Sequence, residues 1–365
     1  MKNNLPNLNA PLAGLKIVEL AGVLAGPAVG MFLAELGATV IKIENKATRG
    51  DMTRHWKLPS EDPQWSFSAY YCSVNWGKTA LLLDLTQEED LQQALAYIAE
   101  ADVVISNFKI TSAQKMGLDP ETLRKKYPRL IFALITGYAD GDDRLAFDVV
   151  LQAEAGFLYM TGEPGGKPVK MPVALIDLLA AHQLKEGILL ALLHRERSGE
   201  GLLVQVSLFA AAAAALANQA TNWLIGGHIP QPMGTLHPNI APYGEIFTTL
   251  DGLQIVLAVG VDRQFEQLCK VLGHPEWAAS PQYRSNVDRL HHRDQLFEEL
   301  QTEISQYTRQ FLLDEFQKQG VPAGAVFNMA EVFAQPEAAD MVLDWHLPDG
   351  TAVKSVRSAV FELKQ

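Results

Sequence analysis

One acidic residue stands in surroundings that its chemistry resists. In the nine-residue stretch VALIDLLAA, Asp177 is the single polar side chain. An ionised carboxylate in apolar surroundings must be hydrogen-bonded or paired, because unpaired burial is very costly. Asp177 therefore reads either as a helix N-cap, accepting the first amide hydrogens of the helix that follows, or as a reactive carboxylate. The two roles can coexist, since a helix start also supplies amides that stabilise an oxyanion. A second signal is local charge. Lys42, Lys46, Arg49, Arg54 and Lys57 face only Glu44 and Asp51 within one segment, a balance of +3 in a chain of −12. Lys78, Lys109, Lys115 and Arg144 follow, at or beyond the ends of later strand patterns. Open α/β sheets bind ligands at the carboxyl edge of their strands, so a basic rim there suits a phosphorylated cofactor. The same charges also read as a solvated loop face.

Other chemistries lack their residues. The sequence has no G-x-S-x-G, no H-E-x-x-H and no C-x-x-C. Gly77-Lys78-Thr79 ends like a P-loop, but Cys72 stands where the loop needs glycine. Gly22, Gly26 and Gly30 recur four apart before Glu44, without the G-x-G-x-x-G spacing that lets a backbone approach a pyrophosphate. The histidines are scattered, and a metal site is not expected.

These residues must be held by alternating strands and helices. LKIVEL, ATVIKIE, TALLLDL, DVVIS and LIFALIT read as buried strands. Between them lie helical patterns, one with Pro27 in its first turn, one opened by Thr86 and Glu89 as a capping box, and one started by Asp119-Pro120. Such alternation means βαβ units and a parallel sheet. A long helix after the Gly/Pro loop Gly162–Pro172 halts at Ser198-Gly199. LLVQVS is a further strand, and SLFAAAAAALANQATNWL reads as one tightly packed helix. Beyond a Gly-, Pro- and His-rich boundary, EIFTTL and LQIVLAV flank Asp251-Gly252, the pattern of a hairpin with a type I′ turn. Helical patterns then suggest a second, smaller α+β domain.

The 365 residues suit about two domains. A charge of −12 argues against general nucleic-acid binding, which rests on Lys and Arg neutralising phosphates. Cys72 and Cys269 stand far apart, as expected of a reducing compartment. The longest apolar run, Leu208–Ala217, is ten residues, against the ~20 a membrane span needs. MKNNLPNLNAPLAG has no apolar leader core, so the expected location is the cytoplasm.

The chain resembles the class III coenzyme A transferases, the family of formyl-CoA, L-carnitine and bile-acid CoA-transferases. The resemblance rests on PLAGLKIVELAGVLAGPAVGMFLAELGATVIKIE, GDMTR, Gly77-Lys78, NFK at Asn107, KMGLDPE, FDVVLQAEAGF, ALLHRERSGEGLLVQVSL, HPNIAPYGEIFTTLDG and GVPAG, in that order. It implies an α/β fold: a large Rossmann-like domain of residues 1–224 and 326–365, a small α+β domain of 225–325, and two interlocked chains in a homodimer. It implies that Asp177 is the nucleophile and needs no metal. Coenzyme A, carried as acyl-CoA, would meet Ala25, Met52, Asn75 through Lys78, Asn107, Phe108, Lys109, Lys115 and Met116, with Arg144 on the basic rim. The partners would be acyl-CoA and small carboxylic acids.

Two other readings stand beside it. The α-methylacyl-CoA racemases share the fold but look for histidine where this chain has Phe147, followed by the acidic Asp148. Racemisation needs a proton-transferring group on each face of the α-carbon, and Phe147 cannot act as one. A CoA-binding protein without turnover is the third reading, since Leu24 replaces a family glutamine and GTLHPNIAPY replaces a glycine-rich loop. Leu24 also suggests a less polar pocket and a larger acyl chain.

Overall fold

Six short aliphatic runs form one sheet, parallel throughout, in the order β3-β2-β1-β4-β5-β6. The structure, a computed structural model, describes residues 8–139, 142 and 144–364. The first seven residues, part of the segment read above for a leader, lie outside the described residues. The elements run β1 (Lys16–Leu20), α1 (Ala25–Glu35), β2 (Thr39–Asn45), α2 (Ala69–Cys72), β3 (Lys78–Leu83), α3 (Glu88–Ala99), β4 (Val103–Ser106), α4 (Ile110–Met116) and α5 (Pro120–Lys126). They continue β5 (Ile131–Thr136), α6 (Asp148–Glu154), α7 (Phe157–Met160), α8 (Leu175–Ser198), β6 (Leu203–Ser207), α9 (Leu208–Ala215) and α10 (Ala217–Gly226).

Successive strand side chains point to opposite faces, and both faces are covered. Ile17, Val103, Ile105, Ile131 and Ala133 pack with Val29 and Leu33 of α1 and Ala180 and Leu184 of α8. Val18, Leu20, Val104, Phe132 and Leu134 pack with Ala94 and Ile98 of α3 and Leu123 of α5. This two-sided burial explains why the strands read as continuous apolar runs. Fully burying one such side chain stabilises by roughly 1.5–3 kcal/mol.

Chain clustering separates one unit of Met1–Phe157, Lys170–Ile229 and Ala339–Gln365 from a second of Leu158–Val169 and Pro230–Ala338. Residues 158–169 and 326–338, grouped above with the large domain, fall in the second unit, and residues 225–229, grouped above with the small domain, fall in the first. In that unit β7 (Tyr243–Thr248), β8 (Gln254–Ala258) and β9 (Ala323–Ala325) form an antiparallel sheet. Its core joins Phe247, Leu257, Phe265, Leu300 and Phe316.

Three local expectations need correction. The capping box at Thr86 does not form: Gln87 is the N-cap of α3, and Thr86 instead bonds Asp84. The β7–β8 turn is not type I′, because Gly252 has positive φ but Asp251 does not. The alanine-rich helix is two helices, broken where Ala217 takes φ 45°, and α10 buries none of its residues.

The glycines spaced four apart have a packing role. A Cβ at Gly26 would overlap Ala21 of the turn after β1, and one at Gly30 would overlap the Glu19 carboxylate. Glycine lets α1 lie close over β1 and over the charges beneath it. Gly30→Ala should therefore lower stability by about 3 kcal/mol or more, the scale of disrupting a buried ion pair. Urea denaturation measures this, and a loss below about 1 kcal/mol would contradict the packing argument.

Candidate active site

Beneath α1, four charged side chains meet away from water. Lys42 Nζ lies 2.8 Å from Glu19 Oε1 and 3.1 Å from Asp51 Oδ2, and Lys78 Nζ lies 2.8 Å from Glu19 Oε2. Glu19 and Lys42 are register partners on adjacent strands, so the sheet itself sets their pairing. Lys42 also donates to Ala21 O at 2.7 Å, and Lys78 to Pro27 O at 2.8 Å. Burial opposes the charge on Lys42, but Glu19 and Asp51 together raise its pKa above the ordinary value. Burial dominates at Lys78 and lowers its pKa, against the pull of Glu19.

This cluster supports the turn that follows β1. Asp51 accepts the Val23 amide at 3.1 Å. From the other side, Asn107 accepts from Gly22 N at 3.2 Å and donates to Gly22 O at 3.1 Å. Val23 has φ 72°, a genuine outlier for a β-branched residue. The strand order reverses between β1 and β4, where a doubly wound sheet leaves its ligand crevice, and the Gly22–Asn107 bonds span that point.

Two cavities open there. The larger, about 510 Å³, lies off the ends of β1 to β4 and is lined by Met52, Thr48, Thr86, Asn107, Phe108, Lys109, Ser112 and Met116. The smaller, about 320 Å³, is lined by Leu24, Ala25, Thr136, Arg144, Phe147, Asp148, Asp177 and Leu208. Gly22, Val23, Met52, Asn107, Phe108 and Lys109 line both. Apolar packing from Met52, Phe108 and Met116, beside amide, hydroxyl and ammonium groups, fits a nucleotide-bearing thioester.

Asp177 faces the smaller cavity from the first turn of α8. The N-cap reading is corrected: Ala174 is the N-cap, and no side chain of its own caps this helix. That task falls to Asp148, the first residue of α6, which accepts Ile176 N at 2.7 Å and Gln152 Nε2 at 2.6 Å. Asp177 is 8 % exposed, and among the described residues its carboxylate has no hydrogen-bond or ion-pair partner. Burial, reinforced by the Asp148 charge, pushes its pKa up to about 7.

The expected contacts divide. Ala25, Met52, Asn107, Phe108, Lys109, Met116 and Arg144 line one or both cavities. Asn75 and Lys78 do not: Asn75 is buried, accepts from Lys78 at 3.0 Å and donates to Tyr71 O at 2.8 Å. Lys115 is exposed on α4 and lines neither cavity. The basic rim is smaller than the charge count implied. Lys42 is paired within the fold, and Arg54 grips Glu44 at 2.6 Å. Arg144 stacks on Tyr138 and pairs with Asp142 and Glu154. The Gly162–Gly166 loop belongs to the second unit. No group of His, Cys, Asp and Glu among the described residues could hold a metal ion. Sequence reasoning missed the Glu19–Lys42–Lys78–Asp51 cluster. Its signal was Glu19, Lys42 and Glu44 among the buried aliphatic residues of two strands, a pattern that demands partners.

The elevated Asp177 pKa has a consequence for stability. The folded state favours the protonated acid, so stability falls as pH rises from about 4, where the unfolded chain ionises, to about 7, where Asp177 ionises in the fold. Asp177→Asn escapes that loss. It should be more stable than the wild type at pH 8 by on the order of 2–4 kcal/mol, with the gap closing by about pH 4. Denaturation midpoints across that range measure the effect, and a gap that does not depend on pH would contradict it.

Comparisons with known proteins agree with this geometry. The sequence profile of CoA-transferase family III matches residues 12–364. A succinate–glutarate CoA-transferase of Agrobacterium fabrum is 39% identical over 365 residues, covering 98% of this chain and 90% of that one. The human succinyl-CoA:glutarate CoA-transferase is 34% identical over 330 residues, covering 90% and 74%. The crystal structure of a CAIB/BAIF family protein from Brucella suis superposes with a TM-score of 0.86 at 39% identity, over 97% of this chain and 93% of that one. Among the described residues no helix is long and apolar enough to cross a membrane. The cavities, the parallel sheet beneath them and a family match over nearly the whole length lead to one conclusion: the chain belongs to CoA-transferase family III and is a transferase acting on CoA thioesters.

Proposed function

We propose that the protein moves coenzyme A from an acyl-CoA to a free carboxylic acid through covalent chemistry on Asp177. The observation that carries this reading is an unpartnered, desolvated carboxylate in a cavity whose wall is shared with a larger one at the sheet edge. With no hydrogen-bond donor from the described residues to hold it, an ionised Asp177 keeps its nucleophilicity toward a thioester, which is already an activated acyl group. Its oxygen bonds to the acyl carbon and the C–S bond breaks, releasing CoA thiolate and leaving a mixed anhydride. The thiolate then attacks the aspartyl carbonyl, and the first acid leaves with the bridging oxygen. An acceptor carboxylate attacks the resulting aspartyl thioester, and the same steps in reverse yield the new acyl-CoA and restore Asp177. Protons balance without a general base or a metal.

On this reading coenzyme A is a substrate whose nucleotide lies in the larger cavity against Met52, Phe108, Lys109 and Met116, with the thioester reaching Ala25 and Asp177. Short dicarboxylic acids are the proposed acyl groups, as the named relatives act on succinate and glutarate. Leu24, Phe147 and Leu208 offer apolar wall to a methylene chain.

The large unit is read as Rossmann-like, on its strand order, and the working form as an interlocked homodimer. The helices support the second point. On α8, Leu189, Leu190 and Leu193 are 41%, 67% and 49% exposed, and on α10 Leu224 and Ile225 are 76% and 87% exposed. Exposed apolar side chains clustered on a helix mark protein–protein contact, and a second chain would bury these. The cytoplasmic assignment rests on the two buried, free cysteines.

Incubation with succinyl-CoA or glutaryl-CoA followed by borohydride should mark the peptide that holds Asp177. Asp177→Ala should lose transfer by at least about 1,000-fold, the scale seen when a nucleophile is deleted. Transfer that persists in Asp177→Ala, or turnover that never marks this peptide, overturns the mechanism. Sedimentation should give twice the chain mass, and Leu224→Asp with Ile225→Asp should weaken that association. A wild-type monomer that retains full transfer activity would overturn the dimer reading.

A further inference from the structure

The start of α8 brings two carboxylates into one cavity, and they are treated differently. Asp148 is fully engaged: its Oδ1 accepts Ile176 N at 2.7 Å and its Oδ2 accepts Gln152 Nε2 at 2.6 Å. Gln152, wholly buried, accepts Met171 N at 2.9 Å in turn. This chain of bonds ties α6 to the segment entering α8 and to the helix start itself. Asp177, one residue beyond Ile176, has no partner among the described residues.

A carboxylate in the first turn of a helix ordinarily gains from the free amides and the positive end of the dipole. Here Asp148 occupies the Ile176 amide and sets a second negative charge beside that helix end. We propose that Asp148 is a positioning residue for the transfer reaction: it caps α8 from a different helix, leaves the Asp177 carboxylate unbonded toward the thioester, and holds a second negative charge beside it. This rests on Asp177 being the nucleophile.

Among the described residues, the other charged or titratable groups around Asp177 are Tyr70, from α2, and Lys109, Asp142 and Arg144 on the cavity wall. Burial and then the charges of Asp177, Asp148 and Asp51 push the Tyr70 pKa up to about 12, so Tyr70 stays neutral. Arg144 is matched by Asp142 and Glu154. Among the described residues, Asp148 is the charge that acts on Asp177 after burial itself, and it has no ion pair of its own.

The test compares wild type, Asp148→Asn and Asp148→Glu in kcat/KM against pH, with borohydride trapping as the control. Asparagine can still accept the Ile176 amide through Oδ1, so the cap survives while the charge and the bond from Gln152 Nε2 are lost. Asp148→Asn should move the inflection near pH 7 down by about one pH unit or more. Asp148→Glu, which keeps the charge, should leave the inflection within a few tenths. A second readout needs no turnover: the pH midpoint of the stability gap between Asp177 and Asp177→Asn should fall by the same amount in the Asp148→Asn background. An unmoved inflection and midpoint in folded Asp148→Asn overturn the inference while the nucleophile reading stands. Failure to trap wild-type Asp177 during turnover overturns both. An Asp148→Asn protein that does not fold overturns the inference too, since the role would then be stability.

Discussion

The buried pairing of Glu19 with Lys42 and Lys78, completed by Asp51, is the interaction on which the site depends. Two positive and two negative groups compensate one another beneath α1, and removing any one would leave an uncompensated charge in the interior, a loss of about 3–5 kcal/mol. The cluster does more than neutralise itself. Its Asp51 holds the Val23 amide in a backbone conformation that valine resists, and that turn borders both cavities. Gly30 is glycine because the Glu19 carboxylate occupies the space its side chain would need. Sheet register, helix packing and the crevice are thus held by one set of ion pairs.

Asp177 shows the opposite treatment of a buried acid. Where the charges under α1 are matched, Asp177 has only burial and the repulsion of Asp148 around it. Such a group costs stability at neutral pH, which is the expected sign for a residue retained for chemistry. Bonds through Asp148, Gln152 and Met171 hold its backbone in place while its oxygens stay open to the cavity.

Much of this was legible because it depends on local pattern. Apolar runs bounded by glycine and proline marked the strands, and the isolated Asp177 marked the buried carboxylate of the smaller cavity. What was not legible depended on which residues the sheet brings together. The positive segment from Lys42 to Lys57 looked like a rim, yet the register sets Lys42 opposite Glu19 and turns it inward. Lys78 looked like a ligand contact and serves instead as the counter-charge of the same carboxylate. Asp148 looked like a relic of a racemase pair, and its bond to Ile176 spans two helices that no sequence spacing connects. The alanine-rich helix misled for a related reason, since composition alone could not show that α10 leaves Leu224 and Ile225 uncovered.

On the proposed mechanism, Asp177 exchanges its own oxygen with the substrate acids. When the acceptor carboxylate attacks the aspartyl thioester, one of its oxygens becomes the anhydride bridge, and that oxygen remains on Asp177 when the new acyl-CoA departs. Turnover with an acceptor labelled in both carboxylate oxygens with heavy oxygen, followed by mass analysis of the peptide that holds Asp177, reads this directly. The account predicts heavy oxygen in Asp177 after turnover and in no other carboxylate of the chain. New acyl-CoA formed at a full rate with an unlabelled Asp177 would contradict it.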